Sequence, residues 1–180
     1  MIRRVLCVVA LGAGVGALFC AAGSAFARAE VGQLAPSLIV EQLDGQRFNL
    51  AQARGKVVII NFWATWCPPC RKEMPALDAV YRRYHDQGLD MIGLSADRSR
   101  DRSDVLKVMQ SFSYPAAMLG DAEDDGFGDP SELPVTYVVD DQGVVRAELT
   151  SNTNPVTEKT LSELVLPLLP QKPAAPAEIH

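Results

Sequence analysis

Lys56-Val-Val-Ile-Ile-Asn-Phe-Trp-Ala-Thr-Trp-Cys-Pro-Pro-Cys-Arg-Lys-Glu-Met-Pro75 changes character halfway along its length. From Lys56 to Trp63 it is almost continuously apolar, the pattern of a strand buried on both faces of a sheet. Beyond the cysteines the period lengthens. Met74, Leu77, Val80, Tyr81 and Tyr84 recur at i, i+3, i+6, i+7 and i+10, one face of a helix predicted over residues 68–87. Gly88 is placed to end that helix. A buried strand therefore runs straight into an amphipathic helix, with Cys67 and Cys70 at the junction.

Working outward, residues 37–41 read as a short strand, Asp44-Gly45 as a hairpin turn and residues 46–50 as its return. Residues 89–96 form a second buried strand, and Val105, Met109 and Phe112 mark another helical face. Residues 135–140 and 144–149 flank Asp141-Gln-Gly143 as a hairpin. Asn154-Pro155 reads as a cap with Pro at the first helical position, and Leu161, Leu164, Val165 and Leu168 give a last helix. No internal repeat is present. The order is a β-hairpin, then β-α-β-α, then β-β-α. It predicts one α/β domain over residues 32–169: a central mixed sheet with helices on both faces, right-handed crossovers and an N-terminal β-hairpin.

Composition narrows the function. The 180 residues carry 17 Lys+Arg against 22 Asp+Glu, a net charge of −5 that argues against nucleic acid as a partner. Arg3 and Arg4 precede an uncharged run over residues 5–26 that ends in Ala25-Phe26-Ala27, with Ala27-Arg28-Ala29 as a second such frame. Residues 1–27 thus read as a secretory signal peptide or, if the run is retained, as a membrane anchor. Bulky Phe19 before Cys20 is wrong for a lipid attachment site. Either reading places the working domain outside the cytoplasm, in the periplasm. Residues 170–180 are Pro/Ala-rich and read as a disordered tail.

Cys7 and Cys20 fall within the export segment, so the domain keeps only Cys67 and Cys70. One pair so closely spaced is no disulfide framework, and a domain of this size has core enough to stand without one. A zinc site needs four ligands, which His85 and the terminal His180 do not complete. A purely structural bridge over so short a loop removes little unfolded-state entropy. No metal and no cofactor is called for. What remains is thiol chemistry. A helix N-terminus supplies free N–H groups and partial positive charge that stabilise a thiolate. Cys67, in the turn, is expected to be accessible and to attack a disulfide, while Cys70, one turn inside, resolves the mixed disulfide. A peroxidase would want Pro and Thr seven and three positions before its cysteine, where this chain has Ile60 and Ala64.

The run from Asn61 to Pro75 resembles the active-site signature of thioredoxin-fold proteins, and in particular the TlpA/ResA-like periplasmic thiol-disulfide oxidoreductases. Glu73-x-Pro75 and Gly55-Lys56 fit that branch, and the likeness runs over residues 32–169. Leu133-Pro134-Val135-Thr136 is similar to the family's cis-proline loop. The resemblance implies that Pro134 is cis and faces the sulfurs, that Leu133 offers its backbone to a client segment, and that Pro75 bends the helix without taking part in chemistry. Trp66 reads either as a substrate-side shield of the sulfurs or as core. Thioredoxins proper carry a buried acid where this chain has Asn61. ResA-like members carry a functional Glu near residues 97–98, where Asp97 is the candidate proton acceptor for Cys70. Its alternative role is to cap a loop or helix in the run 97–102.

Two prolines between the cysteines speak to direction. Neither Pro68 nor Pro69 has an N–H, which leaves that of Cys70 as the main local donor to a Cys67 thiolate. A less stabilised thiolate makes a more reducing couple. The resemblance adds clients among apocytochromes c or copper-site proteins, and a thiol-disulfide electron donor at the membrane. The rivals are a disulfide-forming oxidase, whose large helical insertion has no room between residues 96 and 131, and a non-catalytic binding module. Finally, Asp121-Ala-Glu-Asp-Asp125-Gly126 with Glu132 approaches a calcium-loop spacing, but Glu123, Pro130 and Pro134 break it. An acidic surface loop beside the active site is the better reading.

Overall fold

The structure is a computed structural model that describes residues 29–170, so the export segment at 1–27 and the tail beyond Pro170 lie outside the described residues. In chain order its elements are β1 (Leu38–Gln42), β2 (Arg47–Asn49), β3 (Val57–Trp63), α1 (Pro68–Tyr84), β4 (Leu89–Ser95), α2 (Arg102–Met109), β5 (Ala116–Asp125), β6 (Val135–Val139), β7 (Val145–Thr150) and α3 (Glu158–Val165). The strands form one mixed sheet in the order β2-β1-β5-β4-β3-β6-β7. β3 is its centre. All seven of its residues are buried, each pairs with β4 in parallel register, and residues 58–62 pair antiparallel with β6. The predicted thioredoxin-like mixed sheet and its N-terminal hairpin are present, but the expectation of helices on both faces is corrected, since all three α-helices lie on one. Among the described residues no helix is long and apolar enough to cross a membrane.

Alternation along β3 divides the core. Val57, Ile59 and Trp63 join Met74, Leu77, Val105, Leu161 and Val165 in one cluster, so all three α-helices pack on the same face. Val58, Ile60 and Phe62 point the other way, to Leu38, Val40, Phe48 and Leu50. That second face is covered by a 3-10 turn (Leu50–Ala53) and loop residues such as Ala29 and Phe127. Right-handed crossovers explain the lopsidedness. The chain steps from β3 to β4 to β5 in one direction, which puts α1 and α2 on one side.

Two further sequence expectations are corrected. Residues 121–125 are not a loop: they are the second half of β5, which pairs with β1 through Ala122↔Val40 and Asp125↔Leu38. An extended strand does not wrap an ion, so the calcium-like spacing is incidental. The last helix does not start at Pro155 either. Thr157 is its N-cap, in a reciprocal capping box with Thr160.

Candidate active site

β3 ends at Trp63 and α1 begins at Pro68, and the turn between them is tied down on both sides. Cys67 N–H donates to Ala64 O (3.1 Å), and Ala96 N–H donates to Trp63 O (2.8 Å). Asp97, just past β4, accepts the Thr65 N–H (2.8 Å), the Thr65 hydroxyl (2.6 Å) and the Ser95 hydroxyl (2.7 Å). It is buried, and these bonds tie the end of β4 to the turn and do not reach a sulfur. Asp97 thus holds the β3–α1 turn at Thr65, two residues upstream of Cys67, and does not cap its own run 97–102 as one sequence reading expects.

Cys67 is itself the N-cap of α1, with Pro68 and Pro69 in the first two helical positions. Its Sγ accepts the Cys70 N–H at 3.2 Å, the donor expected from the sequence, and its carbonyl accepts the Arg71 N–H. Cys67 and Cys70 are joined as a disulfide, their Cα atoms 5.3 Å apart. Cys67 is less accessible than its place in a turn implied: it is 4% exposed, against 1% for Cys70. Of the two, Cys67 is the more exposed and the one that lines the neighbouring groove.

Beside the disulfide lies a groove of about 550 Å³. Trp66, Cys67, Pro68 and Pro69 line one side, residues 129–133 the other, and Ala96 contributes between them. Trp66 is 66% exposed, which removes the core reading and leaves it as a wall of the groove. Leu133 lines the groove, Pro134 is buried, and the Leu133–Pro134 peptide is cis. Asn61 is buried below, its amide donating to the Thr136 hydroxyl (2.9 Å).

Sequence reasoning missed one group. Glu73 stands one helical turn after Cys70, 7% exposed, and accepts the Ser151 hydroxyl at 2.9 Å. Burial raises its carboxyl above the ordinary glutamate value, and the Ser151 hydroxyl and Val156 N–H pull only partly the other way. Its signal was available: a glutamate one residue before Met74, on the inward side of an otherwise apolar helix face. It is a carboxyl able to hold a proton within a turn of the resolving cysteine.

The comparisons agree with this chemistry. The AhpC/TSA family matches residues 31–148. The thiol-disulfide oxidoreductase ResA of Bacillus cereus (strain ATCC 10987 / NRS 248) is 29% identical over 171 residues, covering 94% of this chain and 97% of that protein. ResA of Bacillus thuringiensis subsp. konkukian is 30% identical over 141 residues, 78% of this chain and 80% of that one. Among solved structures, a thiol:disulfide interchange protein of Chlorobium tepidum TLS superposes with a TM-score of 0.62 at 28% identity, over 80% of this chain and 100% of that chain. A secreted thiol-disulfide isomerase of Corynebacterium glutamicum gives 0.61 at 28% identity, over 76% of this chain and 84% of that chain. The chain belongs to the AhpC/TSA family, and within it is a thiol-disulfide oxidoreductase.

Proposed function

We propose that the protein works outside the cytoplasm as a disulfide reductase, opening client cysteine pairs that must be free before haem or copper is attached. The Cys67 thiolate attacks one sulfur of the client disulfide, which forms a mixed disulfide and releases the first client thiolate. The Cys70 thiolate then attacks the Cys67 sulfur, which closes the Cys67–Cys70 bond and frees the second client thiolate. Two electrons and two protons pass to the client, and a dithiol donor at the membrane returns the pair to its reduced form.

The observation that carries the direction is the single N–H···S bond from Cys70. With Pro68 and Pro69 in place, the first turn offers a Cys67 thiolate fewer donors than an ordinary helix start. The loss of roughly one good hydrogen bond, about 1.4 kcal/mol, corresponds to about 30 mV for a two-electron couple. Haem and copper clients, the periplasmic location and the membrane donor follow from the resemblance to TlpA/ResA-like proteins and from the export reading of residues 1–27. Equilibration with glutathione followed by thiol trapping tests the direction. A potential near thioredoxin's roughly −270 mV is expected, and one near about −120 mV makes the protein an oxidant instead.

A further inference from the structure

We propose that the rim around Cys67 is two-signed, and that it prefers a client segment whose charge changes sign at the target cysteine. The inference rests on the oxidoreductase reading and says which client that site selects.

The sheet order supplies the geometry, because β3, which delivers Cys67, lies between β6 and β4. On the β6 side, the loop entering that strand carries Asp129 and Glu132, both exposed and both lining the groove beside the disulfide. On the β4 side the sign reverses. The chain leaving β4 carries Arg98, and the first turn of α1 carries Arg71 directly after Cys70. Arg71 also shares a second groove, of about 320 Å³, with Lys107 of α2, over Met74, Val108 and Phe112.

The pairing of these cations separates structural from unassigned charge. Arg102 is engaged with Asp121 at 2.6 Å, and Lys107 with Asp104 at 2.8 Å. Arg71 and Arg98 are exposed, and among the described residues neither guanidinium has an ion-pair partner. In a chain of net charge −5, these two unpaired arginines stand next to the site in sequence, Arg71 directly after Cys70 and Arg98 two residues after Ala96 of the groove. The opposing walls act within reach of a docked segment, since charges at the surface are felt over roughly 8 Å at physiological salt. Such a rim steers encounter and fixes orientation more than it adds affinity. A uniformly basic client is repelled by Arg71 and Arg98, and a uniformly acidic one by Asp129 and Glu132. A segment that is basic on one flank and acidic on the other satisfies both walls, with Trp66 and Leu133 contacting the residues at its cysteine.

Four synthetic peptides test this, each carrying one cysteine blocked as a neutral mixed disulfide with 2-mercaptoethanol. Their flanks are Lys-then-Glu, Glu-then-Lys, all Lys and all Glu, and the reduced protein's bimolecular rate is measured on each. One sign-changing peptide is expected to react at least about fivefold faster than both uniform ones at low salt, an advantage that collapses near 0.5 M salt, at roughly a 4 Å screening length. The Arg71→Glu/Arg98→Glu variant is expected to slow that peptide and accelerate the all-Lys one. Asp129→Lys/Glu132→Lys is expected to slow it and accelerate the all-Glu one, gains that misfolding does not produce. Equal rates on all four peptides, or an all-Lys peptide as fast as the better sign-changing one, overturn the two-signed rim while reduction of hydroxyethyl disulfide persists. A wild type that reduces none of these substrates overturns the oxidoreductase reading and this inference with it.

Discussion

Cys67 and Cys70 owe their behaviour to what stands next to them as much as to sulfur. Pro68 and Pro69 withhold backbone donors, and Glu73 brings a carboxyl to the same helical face. Glu73 also makes the site pH-sensitive in a definite direction. Its folded pKa is raised above the ordinary value of 4.5 by burial, so the proton is held more readily in the native state. The stability it contributes is therefore fully present below that ordinary value and is lost as pH rises through the raised one. Glu73→Gln is expected to flatten this decline, read as the urea midpoint against pH for both proteins. Parallel profiles across that window would remove the assignment. The cysteines, Trp66 and the Leu133-Pro134 pair were legible from motif and spacing. The work of Asp97 was not: whether its carboxylate turns to Thr65 or to a sulfur depends on how the end of β4 meets the β3–α1 turn, a tertiary fact with no local signature.

At the scale of elements, legibility followed hydrophobic contrast. β3 and α1 were readable because one is apolar throughout and the other repeats its apolar residues on one face. β5 was hidden. Its buried half, Ala116–Leu119, is short, and its second half is acidic, so no β-branched or aromatic run announces ten residues of strand. What makes it a strand is long-range pairing to β1 and β4. The start of α3 was misplaced for a different reason: Asn154-Pro155 imitates a helix entry, whereas the reciprocal Thr157/Thr160 bonds decide it. β4 carries a constraint of its own. A Cβ on Gly93 would lie 3.1 Å from the Tyr114 ring and 3.2 Å from Trp63 Nε1, and both side chains are buried in the core. Gly93→Ala is therefore expected to destabilise the fold by about 1–3 kcal/mol, measured by chemical denaturation. An unchanged midpoint would mean that the Tyr114 and Trp63 side chains over Gly93 yield more easily than close packing allows.

On the scale of the whole molecule, the sheet is dressed unequally. Three α-helices and the disulfide share one core, and the opposite face is closed by a 3-10 turn and loops. The chain's two indoles divide accordingly: Trp66 stands in water and Trp63 is wholly enclosed in the cluster that contains both cysteines. A disulfide quenches the emission of a nearby indole, and a dithiol does so less. The burial of Trp63 thus turns the protein into its own optical meter. Reduction is expected to brighten a short-wavelength emission band, retained in Trp66→Phe and absent from Trp63→Phe. With that signal, each half of the catalytic cycle can be timed in a stopped-flow cell without any added label.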